Sequence, residues 1–255
     1  MFSTEFLKDI RSWEIEEIVR NFHSGARILE IGAGTGQQAL ELSRRGFQVE
    51  AIEIPDSLYA QQRQFPIVDY DGRTIPFPDK SFDVVFSSNV LEHVPDLGQI
   101  HTEIARVLKP DGYAVHVLPT HSWRFWTTVS TFPVALQYAR TLRGNLMPRR
   151  PLARAELGRL RSVWRQVGSY MLSPLRQRRH GERGNIISET WLFHPSWWRT
   201  NFAANGFTIV REAPVGLFYT GNMVLGRKLS IRARTRLASY LGSACELFVL
   251  KAATK

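Results

Sequence analysis

Arg27-Ile-Leu-Glu-Ile-Gly-Ala-Gly-Thr-Gly36 is the stretch that decides the fold. A short apolar run ends in an acid, and glycines then alternate at Gly32, Gly34 and Gly36. The apolar run reads as a buried parallel strand, whose two faces are both covered. The glycines let the backbone turn sharply and approach a ligand closely, because no Cβ stands in the way. Gln37 to Arg45 reads as a helix, so the loop amides and the helix N-terminus face an anionic group. This is the opening of a nucleotide-type cofactor site. A dinucleotide site wants G-x-G-x-x-G with an acid about 20 positions on. Here the spacing is G-x-G-x-G, and Glu30 stands before the first glycine. A glycine-rich turn with no ligand is the plain alternative for any single loop of this kind.

The residues that follow narrow the choice. Phe47-Gln-Val-Glu-Ala-Ile-Glu53 is a second strand ending in an acid. A carboxylate there can accept both hydroxyls of a ribose, since it offers acceptors only. Ile67-Val-Asp-Tyr-Asp71-Gly72 places Asp71 near the end of a third strand. Then come Ile75-Pro-Phe-Pro-Asp-Lys-Ser-Phe-Asp-Val-Val-Phe-Ser-Ser-Asn-Val-Leu-Glu-His-Val94 and Glu103-Ile-Ala-Arg-Val-Leu-Lys-Pro-Asp-Gly-Tyr-Ala-Val-His-Val-Leu118. In this order, from Ala26 to Leu118, the segments resemble the class I S-adenosylmethionine (SAM)-dependent methyltransferases. The resemblance is to the type 11 group, which includes ubiquinone and menaquinone biosynthesis enzymes.

That resemblance implies a set of SAM contacts. Glu30 with Gly32, Ala33, Gly34, Thr35 and Gly36 would hold the methionine part. Glu53 would bind the ribose. Asp71, with Gly72 beside it, would bind the adenine amine, and Ser87, Ser88 and Asn89 would line the cofactor. Each carboxylate also has a structural reading as a helix cap or a solvated strand end. Glu30 in particular can orient the loop instead of touching ligand.

Alternating patterns place strands near 27–31, 48–53, 66–70, 82–88 and 113–118, and helices near 37–45, 56–63, 90–94 and 97–108. Ser3 to Phe22 reads as an amphipathic helix. Pro195 onward reads as a helix closed by Gly206, then a strand, and Glu246 to Lys251 as the last strand. The expected fold is α/β, a Rossmann-like doubly wound sheet of about seven strands with helices on both faces. The family inserts its last strand antiparallel between the fifth and sixth. One methyltransferase domain is expected over 1–255, with a basic, aromatic helical insertion at 119–190 after the fifth strand.

The chain has 255 residues and a formal net charge of +10. Twelve arginines and two acids lie between Arg140 and Arg183, so this segment carries the whole net charge. Upstream lies an aromatic block from Trp123 to Tyr138. Downstream, Leu157, Leu160, Trp164, Val167 and Met171 fall on one helical face, with Arg159, Arg161 and Arg165 beside or opposite it. Three functional readings compete with a plain solvated lid. An anionic membrane surface could dock through Trp123–Arg183, and this is the favoured one. The insertion could instead cover an anionic substrate, whereas nucleic acid is the unlikely partner. Pro119-Thr-His-Ser-Trp-Arg-Phe-Trp resembles, more weakly, methyltransferases among bacterial cell-surface polysaccharide enzymes. Gly221 to Ser243 forms a second basic insertion. A lone Cys245 excludes an internal disulfide and a thiolate zinc cluster. Neither a signal peptide nor a run of about 18 apolar residues is present, so a cytoplasmic protein, peripheral on the inner face of the membrane, is expected.

A sulfonium methyl is already activated, so its transfer needs mainly positioning and exclusion of water. An oxygen acceptor also needs its proton removed, for which histidine is the usual base. His93 and His121 follow the fourth and fifth strands, and His180 lies in the basic insertion; these are the candidate catalytic residues. His116 falls mid-strand, and His23, His101 and His194 have no placement that favours chemistry. Glu92 and His93 are ligand types that hold a metal in some resembling quinone O-methyltransferases. Those enzymes carry a further acid where Asn89 stands, so no metal is expected. The expected function is methyl transfer from SAM to a small-molecule or lipid-linked acceptor, first the oxygen of an amphipathic glycan at the membrane surface. The alternatives are a soluble small-molecule methyltransferase and a non-catalytic SAM-binding module. An NAD-dependent oxidoreductase is disfavoured by the glycine spacing and by Pro76-Phe77-Pro78.

Overall fold

Seven strands hydrogen-bond in the order β3-β2-β1-β4-β5-β7-β6. They are β1 Arg27–Ile31, β2 Gln48–Glu53, β3 Val68–Asp69, β4 Phe82–Ser88, β5 Leu108–Pro119, β6 Phe207–Pro214 and β7 Cys245–Ala252. The first five are parallel, and β7 runs antiparallel between β5 and β6. The computed structural model describes residues 4–57, 59–146, 164–165, 168–169, 179–185 and 187–253. Its helices are α1 Thr4–Val19, α2 Gln37–Arg44, α3 Leu97–Val107, α4 His121–Leu146, α5 Ser188–Leu192, α6 Pro195–Ala204 and α7 Ile231–Leu241. This is the doubly wound sheet that the sequence predicts, including the antiparallel last strand.

The period-two alternation of strands splits the core into two layers. Leu29, Ile31, Val85 and Phe248 point to one face, where Ile104 of α3 and Trp198 of α6 close over them. Ile28, Val84, Phe86 and Leu247 point to the other, against Phe6, Ile10 and Ile18 of α1. All of these are buried, and each fully buried large side chain stabilises the fold by about 1.5–3 kcal/mol. β1, apolar on both faces, sits between β2 and β4. That position places the end of Ile31, and the loop after it, at the carboxyl edge of the sheet, where such folds bind ligands.

Four local expectations change. The helix expected over 56–63 shrinks to a 3-10 turn at Ala60–Gln62, because the segment lies over the glycine loop, with Gln64 N–H donating to Thr35 O. The helix expected over 90–94 is a 3-10 turn at Leu91–His93, following Asn89 in a left-handed conformation at φ 55°. β3 keeps only two residues. β5 starts at Leu108, and its irregular pairing with β4 between Phe82 and Val84 absorbs the Pro-Asp-Gly turn.

The 119–190 insertion is stitched to the domain. Trp126 donates its indole N–H to Leu241 O at 2.9 Å, and Arg183 donates to Val94 O. Arg159, Arg161, Leu157, Leu160, Val167 and Met171 lie outside the described residues, while Trp164 and Arg165 are described and exposed. The second basic insertion is partly structural. Arg234 is buried, donates to the carbonyls of Leu229, Phe218, Val224 and Gly226, and lies 4.5 Å over the Phe6 ring. Arg227 pairs with Asp9. These two arginines tie elements together instead of presenting a free charged surface.

Candidate cofactor and acceptor site

The loop after β1 forms a cradle that only glycine can line. Gly32, Gly34 and Gly36 have φ of 71°, 57° and 75°, a region costly for residues with a Cβ. A Cβ on Gly32 would stand 2.5 Å from Val90, and one on Gly36 would stand 2.7 Å from the Phe65 Cβ. The Tyr59 ring lies over Gly34. Gly36 also starts α2 without a side-chain cap, leaving the first amides of the helix facing the cradle.

Two carboxylates frame this loop. Glu53 accepts the Gly34 amide at 2.8 Å and the Ile54 amide at 2.9 Å, and each oxygen retains acceptor capacity for a diol. Glu30 is 2 % exposed, and its Oε2 has no hydrogen-bond partner. Burial pushes its carboxyl up to about 8, opposed by the Ala39 amide and helped by nearby Glu53. An orphaned buried oxygen at the strand end suits a cationic ammonium group, and the glycine cradle suits close backbone approach. The residues present therefore fit SAM: Glu30 and the loop would take its amino-acid part, and Glu53 would take its ribose.

The remaining positions divide. Asp71 is exposed, and its Oδ1 accepts the Arg73 and Thr74 amides, which shapes the turn at Gly72. These backbone bonds hold its carboxyl below the usual range. Ser87 is fully buried and bonds His116 Nδ1 at 2.8 Å. Its side chain is therefore engaged inside the sheet. Ser88 points to the opposite face and accepts from the Asn89 amide group. Asn89 holds its backbone N–H on Val117 O and lies 3.5 Å from the Cys245 thiol.

The three candidate histidines separate into two places. His93 and His180 meet, ring centroids 4.8 Å apart, and His180 packs on Trp123 at 4.7 Å. Burial lowers both, His180 to about 4. His121 stands apart. It pairs with His194 at 4.6 Å and lines an open cleft of about 530 Å³ with Phe125, Thr128 and Trp191. Beneath His93 lies a residue whose placement the sequence does not reveal. Glu92 is buried, and neither carboxylate oxygen has a hydrogen-bond partner.

The aromatic block also divides, in the way helical periodicity requires. Trp123 and Trp126 turn inward against His180 and Phe218. Phe125, Val129, Phe132 and Leu136 stand exposed on the other side of α4, with Ile187 and Trp191 exposed on or just before α5.

The seven-stranded sheet, the glycine cradle and the acids at the ends of β1 and β2 are the arrangement expected of a class I SAM-dependent methyltransferase domain. Residues 29–116 match the family described as methyltransferase domain. An uncharacterized methyltransferase of Mycobacterium sp. (strain JLS) is 39 % identical over 95 residues, which span 36 % of this chain and 38 % of that protein. The demethylmenaquinone methyltransferase of Corynebacterium efficiens is 37 % identical over 90 residues, or 34 % of this chain and 39 % of that protein. The matched region thus spans little more than a third of each curated relative. A SAM-dependent methyltransferase from Aquifex aeolicus shares the fold across 98 % of both chains, with a TM-score of 0.51 at 14 % identity. Among the described residues, no helix is long and apolar enough to cross a membrane.

Proposed function

We propose that this chain transfers the methyl group of SAM to an oxygen of an amphipathic acceptor, such as a lipid-linked glycan, at the inner face of an anionic membrane. Bound SAM supplies the activated methyl: its S–C bond breaks as the new O–C bond forms, leaving S-adenosylhomocysteine, and the hydroxyl proton passes to solvent. The chain's part is to bind and orient. Glu30 and the glycine cradle hold the amino-acid end, Glu53 holds the ribose, and Asp71 lies toward the base. Holding two reactants in attack geometry supplies much of the rate of such a displacement.

The acceptor class rests on one observation. Phe125, Val129, Phe132 and Leu136 form an exposed apolar stripe on α4, directly before the segment that carries the net charge of +10. Apolar side chains beside arginines suit the interface of an anionic bilayer. The experiment is transfer of labelled methyl from SAM to membrane lipid extract presented on anionic vesicles. Label in the organic phase is the expected result. Label confined to water-soluble metabolites would show a soluble small-molecule methyltransferase instead. Binding of NAD without binding of SAM would overturn the whole reading.

A further inference from the structure

We propose that Glu92, His93 and His180 bind one divalent transition-metal ion of the zinc type. One ligand atom from each residue lies within 4.8 Å of the other two. Two imidazoles and a carboxylate are a zinc donor set that leaves coordination positions open. The buried Glu92 carboxylate, with neither oxygen hydrogen-bonded, is costly to keep without a cation or a donor. His93 and His180 are both exposed at the same place, so an ion reaches the site without unfolding the domain.

The third ligand comes from outside the matched region. His180 lies beyond residues 29–116, the stretch shared with the methyltransferase domain family. Asn89 faces Cys245 and takes no part in the cluster. His180 is held in position from two sides. Its ring packs on Trp123 and Phe193, and Glu189 accepts the amides of His180 and Gly181. Such supporting contacts orient ligands and are part of a working site. This gives His93 and His180 a task other than the proton acceptance expected from the sequence.

The test is a titration of chelator-treated, full-length protein with Zn²⁺ by calorimetry and with Co²⁺ by visible absorption. One ion per chain is expected, with the absorption band of a low-coordinate Co²⁺ site. Glu92→Gln and His180→Ala should each weaken binding by at least about tenfold, the lower end of the range seen even for supporting residues, with unchanged circular dichroism. Absence of saturable binding by either ion overturns the proposal. So does binding of equal strength in wild type, His93→Ala and His180→Ala. His180 is exposed outside the sheet, so His180→Ala carries the test if Glu92→Gln does not fold. The titration requires neither SAM nor acceptor, so its failure is distinct from failure of the methyl-transfer reading.

Discussion

Arg124 Nε lies 3.0 Å from Glu189 Oε2, and both side chains are almost fully removed from water. Glu189 turns its other oxygen to the Gly181 amide at 2.7 Å. One ion pair thereby joins α4, α5 and the loop that carries His180. Arg124→Met leaves the Glu189 charge buried and uncompensated. Breaking such a pair costs about 3–5 kcal/mol, and urea unfolding should show a loss of this order. Replacing both partners with apolar residues should restore only part of it, because the His180 and Gly181 amides then lose their acceptor.

Gly32→Ala should abolish measurable SAM binding. The new Cβ would need to displace Val90, which stands 2.5 Å away, at a φ of 71°. The backbone term alone is about 1–2 kcal/mol, and filling the cradle adds to it. Gly46→Ala is the control, since that glycine also has positive φ but open space around it. Calorimetry with SAM on both variants measures the difference. Equal affinities would place the ligand elsewhere.

Glu53→Ala should weaken SAM binding by about 1.5–3 kcal/mol for each charged hydrogen bond lost. It also frees the Gly34 amide that Glu53 holds, so the loop loses an anchor as well. Glu53→Asp retains the charge but shortens the reach, and should fall between wild type and alanine. Affinity unchanged in Glu53→Ala would remove this residue from the ribose site.

Glu30 makes the stability of the ligand-free protein depend on pH. Burial raises its carboxyl from 4.5 to about 8. Between these values the folded chain holds a proton that the unfolded chain has lost. This contribution is therefore fully present below pH 4.5 and is lost as pH rises toward 8. Glu30→Gln carries no such proton. The stability of wild type relative to Glu30→Gln should decline across that window by up to about 1.4 kcal/mol per pH unit. Denaturant melts of both proteins at pH 5, 6, 7 and 8 provide the check.

The two sides of α4 should respond differently to substitution. Phe125→Ser with Phe132→Ser removes exposed apolar surface, and should reduce co-sedimentation with anionic vesicles while leaving the melting temperature near wild type. Trp126→Ala breaks the bond to Leu241 and the packing on Phe218. It should destabilise by about 1–3 kcal/mol, the usual range for a substitution that removes packing and a hydrogen bond at a partly buried site. Vesicle binding that survives the double serine change would exclude this face as the membrane contact.

Much of the fold is legible in the sequence because its signals are local. The strand before Gly32, the acid ending β2 and the alternation of strands with helices all lie within short windows. Parity at a strand end is harder to read. Ser87 and Ser88 are adjacent, yet the pleat sends Ser87 inward to His116. The aromatic block of α4 looks like one surface until steps of three and four residues are followed from Phe125 to Val129, Phe132 and Leu136. Trp123 and Trp126 then fall on the inner side. The meeting of His180 with Glu92 and His93 has no local trace. It depends on how the chain returns after α4, which ring packing on Trp123 and the Arg124–Glu189 pair secure only in three dimensions.

The insertion of β7 between β5 and β6 sets a timetable for synthesis. β6 leaves the ribosome before its partner does, and β5 waits with one open edge through the whole length of α4 to α7. Unpaired edges invite association with other chains, and contacts between distant segments form slowly. The nascent chain therefore carries an open strand edge until residue 252 emerges. A holding chaperone at that stage would raise yield more than one supplied after release.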